Sequence, residues 1–160
     1  MSLLGTAIGG LVGTFVLTTV LRTGSELRLT RMDLPFLLGT AVSGDRGRAK
    51  AIGYVLHFVA GLLFSVAYAI GFAAVGRSGW LLGAAFGLIH GLFAGSALVN
   101  ILLPIVHPRM GTLSSTITSN ALLEPPGFMM MNYGRSTPVV SLAAHVLYGA
   151  IVGAFASAAS

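Results

Sequence analysis

The sequence predicts an all-α membrane protein, folded as a four-transmembrane-helix bundle with two long cytoplasmic loops. Composition is the first reason, because 55% of the 160 residues are hydrophobic and only 8% are charged, with a mean hydropathy of +0.90. Soluble domains carry about 25% charged residues, so this chain cannot cover an aqueous surface with polar side chains. The second reason is that the apolar residues gather into four stretches of membrane-spanning length.

Each of these stretches reaches the ~20 mainly apolar residues that cross the hydrocarbon of a bilayer. The predicted helices, in a single transmembrane domain over residues 1–160, cover about residues 2–21, 51–75, 79–106 and 138–159. The first contains no histidine or charged side chain, and each of the others contains one histidine and no charged side chain. We expect the first span to be retained, because the basic n-region of a signal peptide is missing before Arg22.

The basic residues predict how the bundle is oriented. Eight of the nine lie on the two long connections, and the ninth, Arg77, lies in the tight turn between the second and third spans. The positive-inside rule therefore places both long loops in the cytoplasm and both termini in the periplasm or exterior of a bacterial plasma membrane. The eight residues are Arg22, Arg28, Arg31, Arg46, Arg48, Lys50, Arg109 and Arg135. Because orientation explains the net charge of +5, no nucleic-acid partner is expected.

Small residues recur at intervals of four within the spans, so each span has one face of small side chains. In lipid, where apolar burial does not drive helix association, such faces mark close helix–helix packing. The predicted packing glycines are Gly5, Gly9, Gly13, Gly53, Gly61, Gly83, Gly87, Gly91, Gly95, Gly149 and Gly153. Alternative uses of these faces are clearance for a flat cofactor and contacts in a homo-oligomer or with other membrane subunits. Membrane lipids are the remaining expected partners.

A 2+2 parallel repeat is a further prediction. Spans one and three run in the same direction, as do spans two and four, and each pair encloses a long loop. Two such halves would be related by an axis along the membrane normal. The matching sequence pairs are His57-x-x-x-Gly61 with His145-x-x-x-Gly149, and Arg31-Met32 with Arg109-Met110.

Polar and ionisable side chains inside a membrane span are costly, so they indicate function by default. At 1.5 Å per residue, His57 and His145 both lie about 10 Å below the cytoplasmic boundary, on the small-residue faces. Asn100 lies four residues before Pro104, whose missing N–H leaves the Asn100 carbonyl free and predicts a kink. These residues form the candidate site. Three loop residues are candidates to cap it: His107, Glu124 and Asp33.

Several functions fit two histidines at one depth. They could ligate haem or line a proton or quinone pathway. They could also bind a transition metal together with His107, with Glu124 or with the run Met129-Met130-Met131. The cofactor therefore stays unassigned: haem and a transition metal both fit, and in either case His57 and His145 are the candidate ligands. The alternative is that each neutral imidazole only hydrogen-bonds a neighbouring helix, which is the interpretation preferred for His90.

Three segments, His57–Tyr68, Asn100–Gly111 and Ala144–Gly149, resemble a loose group of small bacterial inner-membrane proteins with several spans and no assigned function. In that group the last helix carries a histidine followed by glycines, as this chain does at His145 and Gly149. The resemblance covers about half of the chain and implies a membrane location and a bacterial source. It supplies no catalytic residue.

The expected function is that of a non-catalytic accessory or scaffold subunit of a larger membrane complex. The chain has no cysteine and none of the familiar catalytic motifs, so no catalytic residue is expected. A histidine-ligated haem or metal redox protein is the alternative, and a small transporter or quinone-site protein acting as an oligomer is the third candidate. Two apolar loop segments, Leu34–Gly39 and Gly127–Met131, are expected at the headgroup level or under the bundle, or against a partner subunit.

Overall fold

The computed structural model describes residues 2–110 and 123–158, and in these ranges the chain forms helices and no sheet strand. The helices are α1 (Leu3–Glu26), α2 (Leu34–Thr40), α3 (Arg46–Val75), α4 (Trp80–Phe93), a π-helical segment (Ala94–Leu102), α5 (Leu103–Val106), a 3-10 segment (Phe128–Tyr133) and α6 (Thr137–Ala158). Residues 111–122 of the second long loop, with Gly111 of the resembling segment, and the predicted last helical residue, 159, lie outside the described residues.

The predicted all-α class is confirmed for the described ranges, and four helices are long and apolar enough to cross a membrane. By length and composition these are α1, α3, α6 and the continuous run Trp80–Val106, which joins α4, the π segment and α5. Two helices are longer than the apolar stretches that predicted them. α1 continues to Glu26, and α3 begins at Arg46 because the Asp45 side chain caps it by accepting a hydrogen bond from the Arg48 backbone N–H at 2.8 Å.

The four long helices pack in the order α3, α1, α6, α4, so that α6 contacts both α1 and α4 while α1 contacts α3. Glycines allow these approaches. Gly83 of α4 faces the carbonyl of Gly149, and Gly61 of α3 faces the Thr14 side chain of α1. Although α3 and α4 are joined by a short turn, in which Gly76 ends α3 with a φ of 74°, their backbones do not pack closely. A gap therefore separates α3 from α4, the first and last helices in this order.

All eleven predicted packing glycines are buried, but they do not all serve contacts between long helices. Gly53 of α3 faces the Pro35 carbonyl of α2, and Gly95 of the π segment faces Met129 of the 3-10 segment. The two apolar loop segments are thus packed against the helices through glycine. Small-residue spacing alone could not distinguish a long helix from a loop segment as the packing partner.

Candidate functional site

A cavity of about 400 Å³ occupies the gap between α3 and the run from α4 to α5. Its walls come from all six α-helices, the π segment and the 3-10 segment, and they are almost entirely apolar. Representative lining side chains are Leu17, Leu38, Phe64, Leu98 and Val99. None of the described residues that line it is Asp, Glu, Lys or Arg. The cavity can therefore enclose an uncharged, mainly apolar group.

The π segment contributes the wall opposite α3. Pro104 has no N–H to donate to the Asn100 carbonyl, and the turns before it are wide, with the Leu103 N–H donating to the Leu98 carbonyl. This segment packs against the 3-10 segment, whereas α4 above it packs against α6. The predicted irregularity near Pro104 is thus a π helix. Asn100 itself is half-buried and is not among the cavity-lining residues.

Three histidines line this cavity: His57, His90 and His145. The ring centroids of His90 and His145 are 4.8 Å apart, with the rings nearly perpendicular. His90 also lies against the ring of Phe64, with a centroid distance of 3.8 Å. The structure therefore places His90 in the wall of the same cavity as the two histidines that the sequence selected, and the three residues come from three helices.

A hydrogen bond defines the tautomer of His145, whereas His57 has a buried nitrogen without one. The Nδ1 of His145 lies 2.8 Å from the Ser141 carbonyl oxygen, which makes Nδ1–H the donor and leaves the lone pair on Nε2. The Nε2 of His57 is fully buried and has no hydrogen-bond partner among the described residues. Beside them, the Tyr148 hydroxyl donates to the Gly61 carbonyl at 2.5 Å and joins α6 to α3. A buried polar atom without a partner calls for an explanation, and a bound molecule is one.

The three loop candidates are placed elsewhere and do not cap the histidines. His107 Nε2 donates to the Leu37 carbonyl at 3.0 Å, and its Nδ1 accepts from the Arg109 N–H at 3.2 Å, which ties the end of α5 to α2. Asp33 caps α2 and pairs with Lys50 at 3.3 Å. Each of these groups is occupied by a local structural contact.

Glu124 likewise pairs with a loop residue rather than with the histidines. Its carboxylate lies 3.3 Å from the Arg31 guanidinium, and it is not among the cavity-lining residues. No group of three His, Asp or Glu side chains in the described ranges converges to hold a metal ion. The predicted metal set that combined two intramembrane histidines with His107 or Glu124 is therefore corrected, because the loops hold those two residues away.

The contribution of His90 was missed by reasoning from the sequence. It stands about 60° from the glycine face through Gly87, so it was assigned to packing. Gly91, its neighbour, lies against the ring of His145, and that contact brings the two histidines together. One sequence feature could have indicated the position of His90. Its neighbour Gly91 belongs to the glycine face of the third span, which is expected to approach another helix closely.

Comparison with known proteins gives no relative of this chain. No protein-family model, curated protein or solved structure matches it. The case for its function therefore depends on the geometry of the cavity between α3 and α4.

Proposed function

We propose that this chain is an integral membrane protein that binds a small, largely apolar molecule of the lipid phase in the cavity beside α3. The observation that carries the proposal is the cavity itself, with about 400 Å³ of space and mainly apolar walls, whose described residues include three histidines and no charged side chain. Ligand sites in proteins are mainly apolar concavities of about 300–1,000 Å³ with a few polar groups that fix orientation. This cavity has both properties.

The entrance supports a ligand that arrives from lipid. Among the lining side chains, Ile105 is 75% exposed, Val106 is 73% exposed and Leu102 is 48% exposed. The cavity therefore reaches the outer surface of the bundle between α3 and α5. In a membrane that surface faces acyl chains, so an apolar molecule could enter without crossing water.

The proposed location is a bacterial plasma membrane, with the long loops in the cytoplasm and the termini outside. The four apolar helices support insertion, and the distribution of basic residues, eight against one, supports the orientation. The resemblance to small bacterial inner-membrane proteins supports the source.

The role of accessory subunit receives less support from the geometry. It depended partly on small-residue faces, and those faces are used inside the chain. Gly87 faces the His145 carbonyl, Gly9 faces Val152 and Gly13 faces Tyr148. These glycine faces of the described helices pack inside the chain, so they give the subunit role little support, and ligand binding is the function that this arrangement favours.

Cavity-filling substitutions test the proposal. The protein in phosphatidylcholine nanodiscs is titrated with dodecane and with dodecan-1-ol, and the midpoint of thermal unfolding is followed. A ligand that binds the native state raises this midpoint in a saturable way. Ala60, which lines the cavity on α3, is replaced by Phe, and Leu98 on the opposite wall is replaced by Trp in a second variant.

We expect saturable stabilisation of the wild type that is lost in both filled variants. The matched control is Ala74→Phe, which adds the same ring to α3 at an exposed position outside the cavity, and which should respond like the wild type. Stabilisation of the Ala60→Phe and Leu98→Trp proteins equal to that of the wild type would overturn the proposal. So would the absence of a saturable response from the wild type with every probe.

A further inference from the structure

We infer that the occupant of this cavity is an apolar molecule with a neutral hydroxyl head group, which donates a hydrogen bond to His145 and accepts one from His57. The inference rests on the proposed function and specifies the class of ligand. The three observations behind it are the absence of charged side chains from the walls, the tautomer of one histidine and the unpartnered nitrogen of another.

The walls exclude a charged head group. An isolated ion in an apolar medium is strongly destabilised unless an opposite charge compensates it. The described residues that line the cavity include no Lys or Arg to pair with a phosphate or carboxylate, and no Asp or Glu to pair with an amine. Phospholipids and ionised fatty acids are therefore poor candidates, and a neutral head group is required.

The tautomer of His145 requires a ligand that donates a hydrogen bond. Its Nδ1–H is used by the Ser141 carbonyl at 2.8 Å, so the neutral ring offers a ligand only the acceptor lone pair of Nε2. A ketone or ester carbonyl cannot donate to that lone pair. A hydroxyl can, and it keeps lone pairs with which to accept a second hydrogen bond.

His57 supplies the complementary partner. Its Nε2 is buried without a hydrogen bond, and as Nε2–H it can donate to the oxygen of the same hydroxyl. His90 differs from these two, because its Nδ1 lies 3.5 Å from the Tyr68 hydroxyl and its ring lies against Phe64. His57 and His145 are therefore the residues that hydrogen-bond the head group, and His90 is part of the cavity wall.

Paired probes test this inference. The protein in nanodiscs is titrated under anaerobic conditions with decylubiquinol and decylubiquinone, and with dodecan-1-ol and dodecane. Each pair shares one apolar body and differs in the hydroxyl group. We expect decylubiquinol to bind about ten-fold more tightly than decylubiquinone, the difference that one hydrogen bond of ordinary strength produces. Dodecan-1-ol should exceed dodecane by at least as much, because the alkane lacks both hydrogen bonds. The tighter of the two hydroxyl compounds identifies the source as an aromatic quinol or an aliphatic alcohol.

Three matched substitutions locate the recognition. His57→Phe and His145→Phe keep a ring of similar size and remove the nitrogens. His145→Phe should reduce the preference for decylubiquinol over decylubiquinone to less than about two-fold, because only its Nε2 distinguishes a hydroxyl from a carbonyl. His57→Phe should weaken the binding of quinol and quinone alike and lower the preference for dodecan-1-ol over dodecane. His90→Phe makes the same change in the same cavity and should keep the preference. Equal binding of quinol and quinone, or of alcohol and alkane, by the wild type overturns the inference while leaving the proposed function intact. Loss of the preference in His90→Phe alone also overturns it, whereas failure of every probe to bind overturns the proposed function.

Discussion

Tyr133 shows how single side chains join the two long loops at one end of the bundle. Its hydroxyl donates to the Glu124 carbonyl at 2.7 Å, and its own carbonyl accepts from the Arg31 N–H at 2.7 Å. Arg31 also pairs with the Glu124 carboxylate and donates to the Asn132 carbonyl at 2.6 Å. These contacts hold the 3-10 segment, and with it Met130 in the cavity wall, in a fixed position.

The Tyr133 phenol should remain protonated until strongly alkaline pH. Burial raises its pKa to about 12, the nearby Glu124 carboxylate adds to this effect, and Arg31 opposes it. The pKa of Tyr133 is higher in the folded state than its ordinary value of about 10. Its contribution to the free energy of unfolding is therefore complete below about pH 10. It is lost as the pH rises from about 10 to 12. Subtracting the absorbance titration of Tyr133→Phe at 295 nm from that of the wild type should give a transition near pH 12. A transition near pH 10 would contradict the burial of the Tyr133 phenol beside Glu124.

Reasoning from single residues identified two of the three histidines that line the cavity. The cost of polar groups in lipid identified His57 and His145 as interior residues, and both line the cavity. Helical spacing gave no reason to include His90, because it stands about 60° from the glycine face through Gly87. The π segment and the close approach at Gly91 are tertiary features, so the meeting of His90 with His145 could not be predicted from spacing.

Among the elements, α2 depends on two glycines for its position. Gly39 of α2 faces the Ala49 carbonyl, and Gly53 of α3 faces the Pro35 carbonyl, so the two backbones are in direct contact at both points. A methyl group at either position would overlap a carbonyl oxygen rather than the end of a flexible side chain. α2 also contributes Leu34 and Leu38 to the cavity wall, so its position affects the candidate site.

Gly53→Ala should lower the free energy of unfolding by about 1–3 kcal/mol, because the added methyl forces α2 away from α3. Gly47→Ala is the matched control on the same helix. The nearest neighbour of its added methyl would be an Asp45 carboxylate oxygen at 3.5 Å. Because Gly47 lies in the first turn of α3, Ala there should change the stability by less than about 0.5 kcal/mol. Unfolding in mixed detergent and SDS, followed by circular dichroism, checks both. Equal stabilities of the two variants would show that the α2–α3 contact is looser than the structure indicates.

Helix ends and irregular turns are the element-level features that hydropathy could not supply. The apolar stretches locate the lipid-compatible parts of α1 and α3, but hydrogen bonds continue through Arg22–Glu26 and from Arg46 to Lys50. Pro104 predicted an irregularity in the third span, yet a proline fixes only which donor is missing. The π turns over Ala94–Leu102 pack against the 3-10 segment. Because that segment is distant in sequence, hydropathy and spacing within the third span could not predict this contact.

At the scale of the whole molecule, the order α3, α1, α6, α4 is what creates the cavity. A tight turn between α3 and α4 suggests adjacent helices, since consecutive elements usually pack together. Here α6 takes that place beside α4, because the glycines of α4 match those of α6, as at Gly83 and Gly149. Aromatic rings then cross the gap, with Phe72 stacked on Phe86 at 5.3 Å. The 2+2 repeat stays a prediction.

Orientation in the membrane is the property of the whole molecule that two cysteine variants can test. The chain has no cysteine, so a single introduced thiol reports without background. Ser43, in the first long loop, and Ser78, in the turn between α3 and α4, are both half-buried serines and make a matched pair. We expect a membrane-impermeant maleimide to label Ser78→Cys in intact cells.

Ser43→Cys should react only after the membrane is permeabilised, because the positive-inside rule retains the basic loops in the cytoplasm. Labelling of both variants in denatured protein confirms that each thiol is reactive. If Ser43→Cys alone were labelled in intact cells, the bundle would be inverted, and the basic loops would face outward against the charge distribution. The entrance beside Ile105 and Val106, near the loop end of the third span, would then open toward the outer leaflet rather than the cytoplasmic leaflet. Orientation therefore determines which leaflet would supply the ligand that we propose for the cavity.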